Sequence, residues 1–339
     1  MRSSVALLLL LAIACEREPP QGELIEGEAA GAPFLVRLAE RLPPSEGAEV
    51  ERMVGDTLER VSSTVSSSLP ESDISRLHSA AAGVETPISN DTVEMIREAL
   101  RVSELTGGAY DPTVVPLSRL WGFGPGGSVR SVPPTEEQIA RERARVGFRN
   151  LVLDDDSITI TKRIESLEID LSGLATGYAL DLAAAELEER GFKNYLIEAG
   201  AEVRTRGKDA AGEPWRASIV KPGPGRGEIQ RSVPLSGFSM ATTGDYRGAD
   251  DAEALAGKLH SHLVDPRSAR PLDHGLLSVT VLDSTCMTAA ALSMGLLVLG
   301  PEDAFRLAAE KDLAALLLVR SESGVLEERA TPAFAELFD

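Results

Sequence analysis

The chain has 339 residues, 43% of them hydrophobic and 26% charged, with a formal net charge of −19. This is globular composition with material for one large domain or two small ones. The acidic balance argues against binding to a nucleic-acid backbone, which needs basic patches, and it identifies no partner.

The first segment in chain order is not part of a fold. Arg2 gives a positive start, Val5–Ala14 is a short apolar run, and Ala12 and Ala14 precede Cys15. Residues 1–14 read as a secretory signal, too short to span a bilayer. The ending Leu-Ala-Ile-Ala-Cys resembles a bacterial lipobox, which implies export and a lipid on Cys15 that holds the chain to the bacterial membrane, on its periplasmic or extracytoplasmic face. The alternative is ordinary signal cleavage with Cys15 incidental. Only Cys286 then remains as a thiol, so neither an intrachain disulfide nor a Cys-based zinc site is expected. Residues 15–28, acidic and Pro-containing, read as a tether, and residues 29–339 as the folded domain.

Gly31–Leu38 opens that domain as a strand. Val50, Met53, Val54, Leu58, Val61 and Val65 recur at helical spacing, and Ser66–Pro70 ends the helix. A second helix starts near Ser89 or Asn90, carries Val93, Ile96, Leu100 and Leu105, and stops at Gly107. The run Glu104–Gly124 then presents Asp111 after a Gly pair, with Pro112 and Pro116 stiffening the chain beyond it. Residues 124–135 read as a loop. Leu151–Leu153 and Ile158–Ile160 suggest a hairpin. Leu167–Leu171 reads as a strand running into a helix that carries Leu174, Tyr178, Leu182 and Leu187 and ends at Gly191. Asn194–Glu198, Glu202–Arg206 and Trp215–Val220 are short strands, and residues 221–228 a Gly/Pro loop. Leu276–Asp283 is a strand, Thr285–Leu299 an apolar helix, Glu302–Lys311 another helix, and Leu313–Val319 a last strand. Without a βαβ rhythm, the fold class is α+β rather than a doubly wound sheet. Phosphate loops of the Gly-Lys-[Ser/Thr] and Gly-x-Gly-x-x-Gly types are absent after strands.

Five separated segments resemble the FAD:protein FMN transferase (ApbE) family, in that family's order: Ser66–His78, Glu104–Gly124, Asp170–Asp181, Asn194–Gly207 and His260–Gly300. The resemblance implies a T-fold-like, two-part α/β arrangement with a flavin cleft between the parts. It also implies FAD as substrate, Mg²⁺ as the ion, and transfer of FMN to a Thr hydroxyl of a target protein, typically a subunit of a membrane redox complex. Such chemistry builds charge on phosphoryl oxygens. A metal ion neutralises that charge, and a base near the incoming hydroxyl removes its proton.

Residue by residue, the resemblance puts flavin contacts on Ala30, Ser68, Ala109, Tyr110, Asp111, Asp170, Thr176 and Leu263. It puts metal contacts on the main-chain carbonyl of Gly173 and on positions Ala290, Ser293 and Met294. His262, in Ser261-His262-Leu263-Val264-Asp265-Pro266, is the residue for proton handling or phosphate contact. Each also has a plain structural reading. Gly107 is a helix C-cap before a Pro turn, Asp170 or Ser172 caps the next helix, and His262 is a hydrogen-bonded residue beside Pro266. His78, His260 and His274 show no metal-ligand spacing with it.

The chain departs from the family pattern at several of these positions. Ala290 and Met294 stand where the family presents an Asp and a Thr at i and i+4, and neither offers the oxygen a hard cation wants. Ser293 is a neutral hydroxyl three residues from Ala290. Thr176 replaces a Lys, Ser68 an aromatic residue, His78 an Asn, and Ala201 and Ala269 each a Gly. Three readings remain: a divergent FMN transferase whose metal is held by backbone carbonyls, Ser293 and the pyrophosphate; a catalytically impaired relative acting as an exported flavin-binding or partner-binding lipoprotein; or a decayed copy with no flavin site.

Overall fold

An eight-stranded sheet, antiparallel at every pairing, forms the spine of the protein; the computed structural model describes residues 22–123, 133–222, 228–245 and 261–338. In chain order the strands are β1 (Glu23–Ala29), β2 (Ala32–Leu38), β3 (Thr86–Pro87), β4 (Leu151–Asp154), β5 (Thr159–Lys162), β6 (Tyr195–Ala199), β7 (Glu202–Arg206) and β8 (Trp215–Val220). They continue as β9 (Ile229–Leu235), β10 (Ser239–Gly244), β11 (Val264–Asp265), β12 (Arg270–Pro271), β13 (Leu276–Asp283), β14 (Ala314–Arg320) and β15 (Leu326–Ala330). The described helices are α1 (Pro44–Val65), α2 (Asp73–Ser79), α3 (Asn90–Leu105), α4 (Val115–Leu120), α5 (Glu136–Arg143), α6 (Ser172–Glu189), α7 (Cys286–Leu299), α8 (Pro301–Glu310) and α9 (Pro332–Glu336).

The main sheet runs β1-β2-β6-β7-β10-β13-β14-β15. Its two faces carry separate cores. Helices α1, α3, α6 and α7 cover one face, where Val36, Ile197, Val279 and Leu317 meet Val54, Val61, Leu180 and Leu296. The β8–β9 hairpin and α9 cover the other, with Trp215, Ile219 and Phe334 against Leu196, Leu316 and Leu318. Alternation of inward and outward residues along β14 feeds both cores, which is why that strand reads as a continuous apolar run. A third, small cluster of Leu117, Leu120, Ile139, Val264 and Ala269 joins α4, α5 and the β11–β12 turn into a separate lobe. The fold class is therefore α+β, with a large sheet body and a small lobe.

All six residues of the helical spacing expected for α1 are buried. Ser89 caps α3, its hydroxyl accepting the Thr92 N–H at 3.3 Å. Four expectations need correction. The tether expected over 15–28 ends early, because Glu23–Ala29 forms the edge strand of the main sheet. Ile25 turns inward while Glu26 and Glu28 face solvent, and every residue of the strand registers against β2. Residues 1–21, including the signal and Cys15, lie outside the described residues.

Leu167–Leu171 forms no strand and belongs to no sheet. Its backbone bonds go elsewhere: Ile169 N–H donates to His78 Nε2 at 2.9 Å, and Asp170 N–H to Pro112 O at 2.8 Å. The Pro-stiffened run after Asp111 is not a plain loop, since α4 begins at Val115 with Pro116 in its first turn, where its missing N–H costs nothing. Of the loop expected over 124–135, residues 124–132 are outside the described residues, and Thr135 already caps α5 in a reciprocal box with Gln138.

Candidate functional site

Where the helical face meets the small lobe, the surface folds into a cleft with two compartments. The first, about 380 Å³, is walled by Ala109–Pro112 and α4 on one side, by Leu263, Val264 and Pro266 on another, and by Met294 and Val298 of α7. The second, about 360 Å³, lies between the β1–β2 turn at Ala30, the end of α1 at Ser66, and the first turns of α6 at Thr176. Asp170 and Ser172 line both, so the N-terminus of α6 is their common wall. Each compartment has the size of a small-molecule pocket.

Local sequence explains the walls. Gly107 and Gly108 have φ of +61° and +83°, and the Gly108 N–H donates to Ser103 O at 2.8 Å, which stops α3 and turns the chain into the first compartment. Asp111 is buried and fully committed. Its Oδ1 accepts the Thr113 N–H (2.8 Å) and hydroxyl (2.6 Å), and its Oδ2 accepts the Phe148 N–H (3.0 Å). Burial pushes this carboxyl up, against the bonds from Thr113 and Phe148. The Asp111 side chain therefore builds the wall, and this stretch offers a ligand its backbone and the Ala109 and Tyr110 surfaces. At the opposite rim, Ala30 and Gly31 have φ of +51° and +75°, a two-residue turn matched to a twisted hairpin, and the Ala30 N–H donates to Glu59 Oε2 at 2.8 Å.

Of the positions assigned by the resemblance, Ala109, Tyr110, Asp111, Asp170, Leu263, Gly173, His262 and Met294 meet in the first compartment, and Ala30 and Thr176 in the second beside Asp170. Ser68 is exposed at the rim, its hydroxyl 2.9 Å from that of Ser66, which does line the wall. Asp170 is exposed, and its Oδ1 accepts the Ser172 N–H at 2.8 Å, so it does serve the start of α6 while facing both compartments.

His262 has a partner that sequence reading missed. Its Nδ1 lies 2.9 Å from Asp245 Oδ1 at the end of β10. Burial raises the Asp245 carboxyl, but hydrogen bonds from His262 and Ser261 outweigh this and hold it below the usual carboxylate range. An ionised Asp245 accepts, so Nδ1 carries the proton and Nε2 of the neutral ring is left as the basic nitrogen. No spacing signal links positions 245 and 262; the pairing of β10 with β13 brings the Asp to the loop that carries the His, with the Asp245 N–H donating to Leu277 O at 2.9 Å.

The metal positions fail on donor chemistry. Ala290 is buried in the helical core. Ser293 is fully buried, 2.7 Å from the Thr243 hydroxyl and donating to Ala290 O at 2.9 Å. The correction to the sequence expectation is that Ser293 does not face the cleft. Met294 does face it, and its terminal methyl packs so closely on Gly173 that a Cβ there would lie 2.5 Å from it. Among the described residues, no group of three or more His, Cys, Asp or Glu side chains gathers to hold an ion. These residues do not fit a Mg²⁺ site of the expected kind.

The antiparallel sheet backed by helices, the small lobe and the two-compartment cleft with an Asp–His pair define an α+β protein whose cleft has the size of a small-molecule site. The chain belongs to the ApbE family, whose model matches residues 31–317. It is 34% identical to the FAD:protein FMN transferase of Vibrio cholerae serotype O1, over 98% of this chain and 96% of that protein. It is 31% identical to that of Escherichia coli, over 93% and 92%. Among solved structures, it resembles the flavin transferase ApbE from Vibrio cholerae (TM-score 0.83, 32% identity, 94% of this chain and 99% of that one). The apo form of the Pseudomonas stutzeri flavinyl transferase ApbE matches at TM-score 0.83 and 33% identity, over 94% and 97%.

Proposed function

We propose that the cleft binds FAD and that the protein transfers the FMN half to a Thr hydroxyl of a target protein. The observation that carries this reading is the junction. Two ring-sized compartments meet at the N-terminus of α6, where the helix dipole favours anions, and an oriented imidazole stands on the wall. A ligand with two ring ends and a charged middle has matching parts.

In the proposed step the Thr oxygen forms a bond to the FMN-side phosphorus, the phosphorus–oxygen bond to AMP breaks, and AMP departs with the electron pair. His262 Nε2 takes the hydroxyl proton, and Asp245 holds the ring in that tautomer and stabilises the imidazolium. Asp170 and the backbone at Ala109–Asp111 orient the ligand, with Ala30, Thr176 and Leu263 as further contacts and Ser68 at the rim. No step is assigned to a metal ion. The target is a subunit of a membrane redox complex, and the protein acts outside the cytoplasm, anchored by lipid on Cys15. The apolar run and small residues before Cys15 support that location. Among the described residues no helix is long and apolar enough to cross a membrane.

The test is to incubate the purified exported chain with FAD and a target domain, then look for a fluorescent flavin band that survives denaturation. Wild type labels the target, His262→Ala lowers the rate by about 10²-fold or more, and Asp245→Asn by at least about 10-fold. A second reading, a flavin-binding lipoprotein without transfer, is favoured by the lost oxygens at Ala290 and Met294, since a phosphoryl-transfer metal supplies several kcal/mol of charge stabilisation. FAD binding with no labelled target decides for it.

A further inference from the structure

We infer that this chain binds its dinucleotide without a divalent cation at the junction, and that Met294 takes the ion's place as an apolar contact over Gly173. The inference rests on the flavin reading and concerns the surroundings of the ligand's charged middle. Four observations carry it. The Met294 sulfur and methyl pack on Gly173, at 2.9 and 2.5 Å from where a side-chain carbon would begin, so a thioether lies against the residue whose carbonyl the resemblance assigns to the ion. One turn earlier, Ala290 contributes a methyl to the core. Ser293 Oγ is 0% exposed and bonded to Thr243 and Ala290. Among the described residues, the one carboxylate lining both compartments, Asp170, already holds the Ser172 N–H at 2.8 Å.

Mg²⁺ demands near-octahedral oxygen at about 2.0–2.1 Å and gives up water reluctantly. A thioether is a soft, weak donor, and its methyl excludes the waters that would fill the remaining positions. Helix packing explains why the oxygens are absent rather than turned away. Helix α7 is buried almost all round, so an unpaired carboxylate at 290 without an ion would carry a desolvation cost that Ala290 avoids. The two replacements therefore belong together. The ligand's negative charge is left to solvent and to the N-terminus of α6, and its affinity does not depend on divalent cations.

The experiment is an FAD titration of the purified chain, followed by flavin fluorescence in EDTA and in millimolar MgCl₂, with thermal melting in MgCl₂ alone. Wild type is expected to bind FAD with a dissociation constant that agrees within about twofold in the two buffers, and to show no melting shift with MgCl₂ alone. The double variant Ala290→Asp with Met294→Thr is expected to bind FAD at least about tenfold more tightly with MgCl₂ than with EDTA. Tightening of wild-type binding by tenfold in MgCl₂ would overturn the inference, as would a folded double variant indifferent to Mg²⁺. If the double variant fails to fold, the wild-type titration decides alone. If FAD binds in neither buffer, the flavin reading fails and the dinucleotide part of the inference fails with it, while the melting experiment still decides the part about the ion: a MgCl₂-induced shift in wild type contradicts it, and no shift upholds it.

Discussion

Glu202 opens β7 behind the Gly200 turn that lines the second compartment. Its carboxylate has no cation partner among the described residues and accepts only backbone N–H groups, that of Ala201 at 3.1 Å. Burial pushes the carboxyl from the ordinary 4.5 up to about 7, against those bonds. The folded state then holds a proton that the unfolded chain releases, so this residue's contribution to stability is present below the unfolded value and is lost as pH rises through about 7. Glu202→Gln removes that loss. Denaturant unfolding is expected to show the variant more stable than wild type by up to about 3 kcal/mol at about pH 8, with little difference at low pH. Parallel pH curves for the two proteins would contradict this. Nothing along the chain hints at this environment, because it arises from burial across β6, β7 and β10. Asp245 is hidden for the same reason, whereas His262 and Asp111 stand in motifs readable along the chain.

Helix α7 shows how an element can be predicted while its role is not. Its apolar run is plain in sequence, and the structure adds the Thr285 cap, whose hydroxyl accepts the Thr288 N–H at 3.3 Å. Its position is set by another helix. Asp181 of α6 accepts the Cys286 N–H at 2.8 Å and the Met287 N–H at 3.0 Å, tying the start of α7 to the middle of α6. Gly177, one turn earlier on α6, lies so close that a Cβ would be 2.8 Å from the Cys286 carbonyl. This contact sets where Met294 stands over Gly173. Asp181→Ala is expected to cost about 2–4 kcal/mol in denaturant unfolding, since two buried donors at a helix N-terminus lose their acceptor. A change below about 0.5 kcal/mol would show that α7 is held by packing alone. Long amphipathic or apolar segments were legible because their periodicity is strong. Helices α2, α4 and α5 were not, being short: Ser72 and Thr135 cap α2 and α5, α2 packs into the main core through Ile74 and Leu77, and α4 and α5 pack into the small lobe. Leu167–Leu171 has the apolar content of a strand, yet His78 and Pro112, distant in sequence, take its backbone bonds.

At the scale of the molecule, an acidic chain with no phosphate loop folds around an eight-stranded antiparallel sheet with cores on both faces, and its cleft is assembled from segments near positions 30, 66, 110, 172, 263 and 294. Family resemblance carried that assembly into the sequence reading; hydrophobic pattern alone could not have brought these loops together. The central claim is that the two compartments, joined at Asp170 and Ser172, hold one flavin dinucleotide. It is tested most directly by equilibrium FAD binding to wild type and to Ser172→Trp, in which an indole fills the exposed junction without entering the core. Wild type is expected to bind one FAD per chain saturably, and the variant to lose at least about tenfold in affinity at unchanged melting temperature. Absence of FAD binding to wild type, or undiminished binding to a folded Ser172→Trp, would contradict the claim.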